Sequence, residues 1–191
     1  MILTMVRHGQ THYNNQGLVQ GRINNALNET GRKQARTVAS LLEGRHFDAI
    51  VSSPLSRALE TAYIIAKKLK FKDPIELLPN FVERDFHHLD GVSVKEAMPL
   101  VRTKGYRHDG YEHDEILIER ITKQAISLAQ RHMQDQVLCI AHSHVIKALL
   151  VKADPHQFSF ADYFLSNGDI ITFDITDRHI TFLSHDRHPD A

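Results

Sequence analysis

The chain has 191 residues, 42 % of them hydrophobic, which is enough to bury a sizeable core in one domain. Its 23 basic and 23 acidic residues balance, which excludes a bulk electrostatic affinity for nucleic acid or for an anionic membrane. The single cysteine, Cys139, excludes a disulfide framework within the chain. The few apolar residues before Arg7 are too short for a signal-peptide core or a membrane span, so a cytoplasmic protein is the expectation.

The apolar run Ile2-Leu3-Thr4-Met5-Val6 reads as a buried strand that delivers Arg7-His8-Gly9 at its end. Thr30 is the expected cap of a helix whose buried face is Ala35, Val38, Ala39 and Leu42, ended near Gly44. Ala49-Ile50-Val51 is a second buried strand. Ser53 suits the cap and Pro54 the first position of the following helix, which carries Arg57 early and an apolar stripe of Ala58, Ala62, Ile65 and Leu69. Residues 71–113, with Pro74, Pro79, Pro99 and several glycines, read as a small irregular cap over the mouth of a crevice. Helical spacing resumes at Ile118, Ile121, Ala125 and Leu128. Val137-Leu138-Cys139-Ile140-Ala141 is a third buried strand, followed at once by His142-Ser143-His144 and an apolar helix. Ile171, Phe173 and Ile175, then Ile180 and Phe182 across the turn Thr176-Asp177-Arg178, give a hairpin signal, and residues 184–191 read as a polar tail.

Strands that are apolar throughout and alternate with helices imply a sheet covered on both faces. The expected fold is therefore α/β: a three-layer α/β/α sandwich with a mostly parallel central sheet, a C-terminal hairpin and a small cap. Without repeats, low-complexity tracts or linkers, residues 1–191 read as one domain. In such sheets ligands bind beyond the carboxyl ends of the strands, and Arg7, His8, Arg57 and His142 all fall there. Four cationic or potentially cationic side chains, with helix N-termini beside them, favour a phosphate over a neutral ligand.

Several ordered blocks carry a resemblance. Arg7-His8-Gly9-Gln10-Thr11-His12-Tyr13-Asn14, Gln20-Gly21 with Leu27, Gly31, Gln34 and Ala35, the run from Ser52 to Ala62, Glu83-Arg84-Asp85-Phe86 ending at Gly91, and Ile140-Ala141-His142 together resemble the histidine phosphatase (phosphoglycerate mutase-like) superfamily, in its small phosphatase-type form. The resemblance implies that His8 is the nucleophile, with Nδ1–H held by a backbone carbonyl near Gly9. It also implies that Arg7, Arg57 and His142 surround the phosphoryl oxygens, and that Glu83, kept protonated by the anionic substrate, is the acid and then the base. Asn14, Gln20, Gly21 and the backbone N–H of Ser143 join the implied substrate-binding set, although Asn14 equally suits a turn cap and Asp85 and Asp90 share the loop of Glu83. For Arg57 the competing reading is a solvated helix arginine paired with Glu60 or Asp85.

Two departures stand out: Ser143 and His87 occupy positions where the family commonly has glycine, each followed by another histidine. The 14 histidines raise a metal-site alternative, but no HExxH or Cys/His cluster accompanies them. His108, His113, His185 and His188 fall in segments read as loop or tail, where solvated roles are expected. No metal and no cofactor is expected.

The implied function is a phosphomonoesterase acting on a small-molecule phosphate monoester through a phosphohistidine. One alternative is phosphoglycerate mutase activity, although the stretch from Gly91 to Ile118 is short and offers only Arg102 and Arg107 for a substrate carboxylate. A second is non-catalytic binding of phosphorylated ligands. Natural substrate and oligomeric state are not legible.

Overall fold

The computed structural model describes residues 1–103 and 106–189. Six strands, β1 (Ile2–Arg7), β2 (Ala49–Ser52), β3 (Glu76–Leu77), β4 (Gln136–Ala141), β5 (Ile170–Ile175) and β6 (Ile180–Asp186), form one sheet in the order β3-β2-β4-β1-β5-β6. The first four are parallel to their neighbours, whereas β5 is antiparallel to β1 and β6 to β5.

Alternation along the strands divides the core into two layers, as side chains must leave a pleat on opposite faces. Leu3 and Met5 of β1 and Val137 and Cys139 of β4 pack with Leu117, Ile121 and Leu128 of α5 (Asp114–Arg131) and Val145, Ile146 and Leu149 of α6 (Ser143–Ala153). Val6, Leu138 and Ile140 face the other way, onto Val38 and Leu42 at the end of α2 (Glu29–Leu41) and Ala58, Ala62 and Ile65 of α3 (Ser56–Leu69). Each such aliphatic side chain contributes on the order of 1.5–3 kcal/mol by leaving water. The three-layer sandwich and the C-terminal hairpin are as the sequence pattern predicts.

Several local expectations are corrected. The cap of α2 is Asn28, whose Oδ1 accepts from the N–H of Gly31 at 2.8 Å; Thr30 lies inside the first turn. The cap of α3 is Leu55, not Ser53, and no side chain of its own sequence closes that end. Asn24 does so from another loop, its Oδ1 accepting from the N–H of Ser56 at 2.7 Å. The segment 71–113 is less irregular than its prolines suggest. It holds β3 and a nine-residue helix, α4 (Val94–Arg102), with Pro99 inside it, and builds its own apolar cluster from Phe86, Leu89, Ala97 and Tyr111 against Val19. The polar tail is also partly structured: β6 continues to Asp186, the Asp169 carboxylate takes His185 Nε2 at 3.0 Å and the His188 N–H at 2.9 Å, and His188 is buried.

Strand register sets the site. Arg7, the last residue of β1, pairs with Ala141, the last of β4, and Ser52 of β2 pairs with Ile140. The chain leaves three adjacent parallel strands at one level. The N–H of His8 bonds the carbonyl of Ala141 and that of Ser53 the carbonyl of Ile140, both at 3.0 Å, which carries the ladder one residue beyond each strand.

Candidate active site

Beyond those strand ends His8 and His142 are buried, their ring centroids 5.1 Å apart in an edge-on arrangement. His8 Nδ1 donates to the carbonyl oxygen of its neighbour Gly9 at 2.8 Å, which puts the ring proton on Nδ1 and the lone pair on Nε2. Burial, then the charges of Arg57 and Arg7, hold its pKa well below 6.5, so the imidazole is neutral. Gly9 serves a close approach: a Cβ there would lie 2.3 Å from the carbonyl oxygen of Gly31 in the first turn of α2.

Arg57 emerges from the first turn of α3 and is fully buried. Its Nε–H lies 3.2 Å from His8 Nε2, while Nη1 and Nη2 donate to the carbonyls of Ile23 at 2.8 Å and Gly21 at 2.7 Å. The Gln20 amide, oriented with its oxygen toward the guanidinium, accepts from Nε at 2.8 Å and donates to Thr11 Oγ1 at 2.7 Å. Burial lowers the Arg57 pKa to about 10, which still leaves it charged at neutral pH. Its competing partners are taken elsewhere, Glu60 by Arg32 at 2.6 Å and Asp85 by Arg22 at 3.2 Å. Arg7 bonds the carbonyl of Leu165, and its Nε is buried without a partner among the described residues. Two guanidiniums whose hydrogen-bond partners are neutral acceptors form a setting that favours an anion.

His142 caps α6, with Nε2 2.7 Å from Ser53 Oγ and Nδ1 buried and unpartnered among the described residues. Burial first, then Arg57 and His8, drive its pKa well below 6.5. The N–H of Ser143, at the first helical position, has no acceptor within the helix. Glu83 is buried, Oε1 accepting from the N–H of Arg84 at 2.8 Å and Oε2 from that of His144 at 3.3 Å. Burial pushes its pKa up, and the opposing pull of the Arg84 N–H, Arg57, the His144 N–H and Arg7 is smaller, so the net shift is upward.

The remaining residues divide. Asn14 closes a capping box on α1 (His12–Gln16), its Oδ1 accepting from the N–H of Thr11 at 3.1 Å. Gln20 and Gly21 hold Arg57, and the Gly21 N–H bonds Asp90 Oδ1 at 2.6 Å. Three positioning residues carried no local signal of this role: Ser53, read as a cap; Thr61, which links the Gly9 N–H to the carbonyl of Arg57 through one hydroxyl; and Asn167, whose Nδ2 donates to the carbonyl of His8 at 2.8 Å. A cleft of about 280 Å³ adjoins Glu83 through His144 and is walled by Met98, Arg102, Tyr106, Tyr111 and Phe160. Arg102 and Arg107 both border it, Arg107 paired with Glu115 at 3.3 Å. Among the described residues no helix is long and apolar enough to cross a membrane.

A phosphatase of Bacillus subtilis (strain 168), PhoE, named as uncharacterized, is 37 % identical over 151 residues, covering 78 % of this chain and 75 % of that protein. A metal-independent phosphoserine phosphatase of Arabidopsis thaliana is 32 % identical over 162 residues, covering 78 % and 67 %. Among solved structures, a mutant phosphoserine phosphatase from Entamoeba histolytica in complex with phosphoserine superposes with a TM-score of 0.83 at 25 % identity, over 98 % of each chain. A phosphoglycerate mutase from Bacillus anthracis superposes at 0.85 with 20 % identity, over 96 % of this chain and 92 % of that one, a likeness of fold alone. The family model for the histidine phosphatase superfamily (branch 1) matches residues 3–187, and the chain belongs to that superfamily.

Proposed function

We propose that this protein is a metal-independent phosphomonoesterase in which His8 carries the phosphoryl group between a small phosphate monoester and water. The observation that carries the reading is the state of His8: a neutral ring, its proton fixed on Nδ1 by Gly9, its Nε2 lone pair beside the Arg57 guanidinium. A lone pair so placed is poised for phosphorus rather than for a proton.

In the first step His8 Nε2 forms a bond to phosphorus as the ester P–O bond breaks, and the Glu83 carboxyl gives its proton to the departing alkoxide. In the second, the Glu83 carboxylate takes a proton from water, whose oxygen bonds phosphorus as the N–P bond breaks, releasing phosphate and returning His8 to its starting form. Arg7, Arg57, His142 through Nδ1–H and the N–H of Ser143 surround the nonbridging oxygens. Asn14 adds its Nδ2. Gln20 and Gly21 act one step removed, by fixing the guanidinium of Arg57. The leaving group lies in the cleft under segment 71–113, which serves as the cap of a single 1–191 unit, and a cytoplasmic setting accords with one buried thiol and no disulfide.

The donors in the cradle are guanidinium, imidazole and backbone N–H, types that bind phosphate oxygens directly. The metal-dependent alternative needs clustered carboxylates, and among the described residues the one group of three with metal-ligand geometry lies elsewhere. The test is phosphate release from a panel of small monoesters, phosphoserine, sugar phosphates and phosphoglycerates included. Turnover by the native chain and its loss in His8→Ala is expected; a panel hydrolysed equally by His8→Ala contradicts the reading.

A further inference from the structure

Three imidazoles meet on the outer surface of segment 71–113, although the sequence separates them. His87 and His88 stand in the 3-10 turn 87–89, and His108 comes from the loop after α4. One ring nitrogen from each lies within 4.8 Å of the other two, the only such group of three among the described residues. All three side chains are exposed, so solvent ions reach them freely. The rings of His88 and His108 stack with centroids 3.4 Å apart.

The surroundings aim these rings. His87 has φ = 50°, one of two non-glycine residues in the left-handed region among the described residues, a backbone conformation that few side chains adopt. That turn lays its ring across Gly110, where a Cβ would stand 2.6 Å from the imidazole. His108 donates from Nδ1 to the carbonyl of Asp109 at 2.8 Å, which leaves its lone pair on Nε2. An imidazole whose far N–H is held by a backbone carbonyl is the usual arrangement of a metal ligand. Tyr106 Oη lies 3.1 Å from Nε2 of His88 and steadies the third ring.

We infer that His87, His88 and His108 form a binding site for a divalent transition ion, zinc or its nitrogen-preferring neighbours, that ties the turn 87–89 to the loop 106–110. An all-imidazole set selects zinc, copper or nickel over magnesium or calcium, which require oxygen ligands. Zinc–nitrogen bonds of roughly 2.0–2.1 Å place ligand nitrogens about 3.4 Å apart in a tetrahedron, so binding requires the exposed rings of His88 and His108 to rotate out of their stack until their lone pairs converge. The fourth position is left to water. Because this group lies outside the buried phosphate cradle, the ion takes no part in the phosphoryl steps; it orders the wall of the leaving-group cleft, to which Tyr106 and Arg107 belong.

The test is zinc titration of the untagged, chelator-stripped chain by calorimetry. One ion per chain is expected, with a dissociation constant on the order of 10⁻⁶ M. His87→Ala and His108→Ala should each weaken binding at least tenfold, and His156→Ala, an exposed histidine elsewhere, should leave it unchanged. Imidazole resonances of His87, His88 and His108 should shift together on adding one equivalent, a readout independent of any substitution. Failure of the native chain to take up zinc at millimolar concentration, or uptake undiminished in the His87→Ala/His108→Ala double variant, overturns the site.

Discussion

The Ser53 hydroxyl stands 2.7 Å from Nε2 of His142 across the ends of β2 and β4. It accepts from the N–H of Leu55 at 3.4 Å, and in the tautomer where its own proton goes to Nε2 the ring proton of His142 sits on Nδ1, the nitrogen that faces no other partner among the described residues. Ser53 thereby turns His142 into a fixed N–H donor. His8 is set in the same tautomer by a different device, the carbonyl of Gly9.

Ser53→Ala removes that control. One neutral hydrogen bond contributes about 0.5–1.5 kcal/mol, so kcat/KM for an aryl phosphate should fall by roughly three- to tenfold while the chain stays folded. Ser53→Thr keeps the hydroxyl and should recover most of the loss. Steady-state kinetics of both variants check this, and equal losses in the two would count against an orienting role.

Arg57→Lys tests the guanidinium fork. Its Nε, Nη1 and Nη2 reach His8, Gln20, Ile23 and Gly21 at once, and an ammonium cannot. Because the same plane confronts charge developing on phosphorus, kcat/KM should drop by about 10²–10³-fold despite retained charge. A lysine variant within a few-fold of native activity would mean that a point charge is sufficient there.

Glu83 joins stability to catalysis. Its folded pKa is raised by burial, so the native state favours the protonated carboxyl; this contribution is complete below the ordinary value of 4.5 and is lost as pH rises through the folded value. Glu83→Gln should therefore melt higher than the native chain at pH 8, with the gap closing toward pH 4.5. The same variant should slow hydrolysis of alkyl monoesters by about 10²–10⁴-fold and of aryl monoesters much less, since only the poor leaving group requires the proton. Thermal scans across pH and paired substrates measure both effects.

The buried histidines titrate in the opposite sense. His8, His142 and His144 all have folded values well below 6.5, chiefly through burial, so each contributes stability that is present above 6.5 and lost as pH falls toward the folded value. Acid should weaken the fold from about pH 6.5 downward with a slope approaching about 1.4 kcal/mol per pH unit for each group. Denaturant titrations between pH 7.5 and 5 check this; a flat profile would mean that these rings are reached by solvent.

How much of this was legible depended on whether the signal was local. Arg7, His8 and His142 could be placed because unbroken apolar strands announce themselves and their next residues must project from the same edge of a parallel sheet; Arg57 followed from the first turn of the helix after β2. Ser53 was misread because Ser-Pro before an amphipathic run matches a helix start, while the true closure of α3 comes from Asn24, which no spacing rule links to it. Helix α4 was hidden by Pro99, which sits inside a helix whose Ala97 the segment's own apolar cluster holds. Asn167 was invisible, since its role is defined only by the carbonyl of His8, 159 residues away. The histidines fared similarly: His185 and His188 looked like tail, yet Asp169 draws both inward, and the grouping of His108 with His87 and His88 exists only after folding.

The phosphoryl-enzyme itself is the most direct measurement. Rapid quenching after mixing with a monoester labelled in its phosphoryl group should trap one label per chain on His8, stable in base and released in acid, absent in His8→Ala, and accumulating further in Glu83→Gln with an aryl substrate because the second step lacks its base. Label on a serine or on Cys139, or full turnover by His8→Ala, would contradict the account.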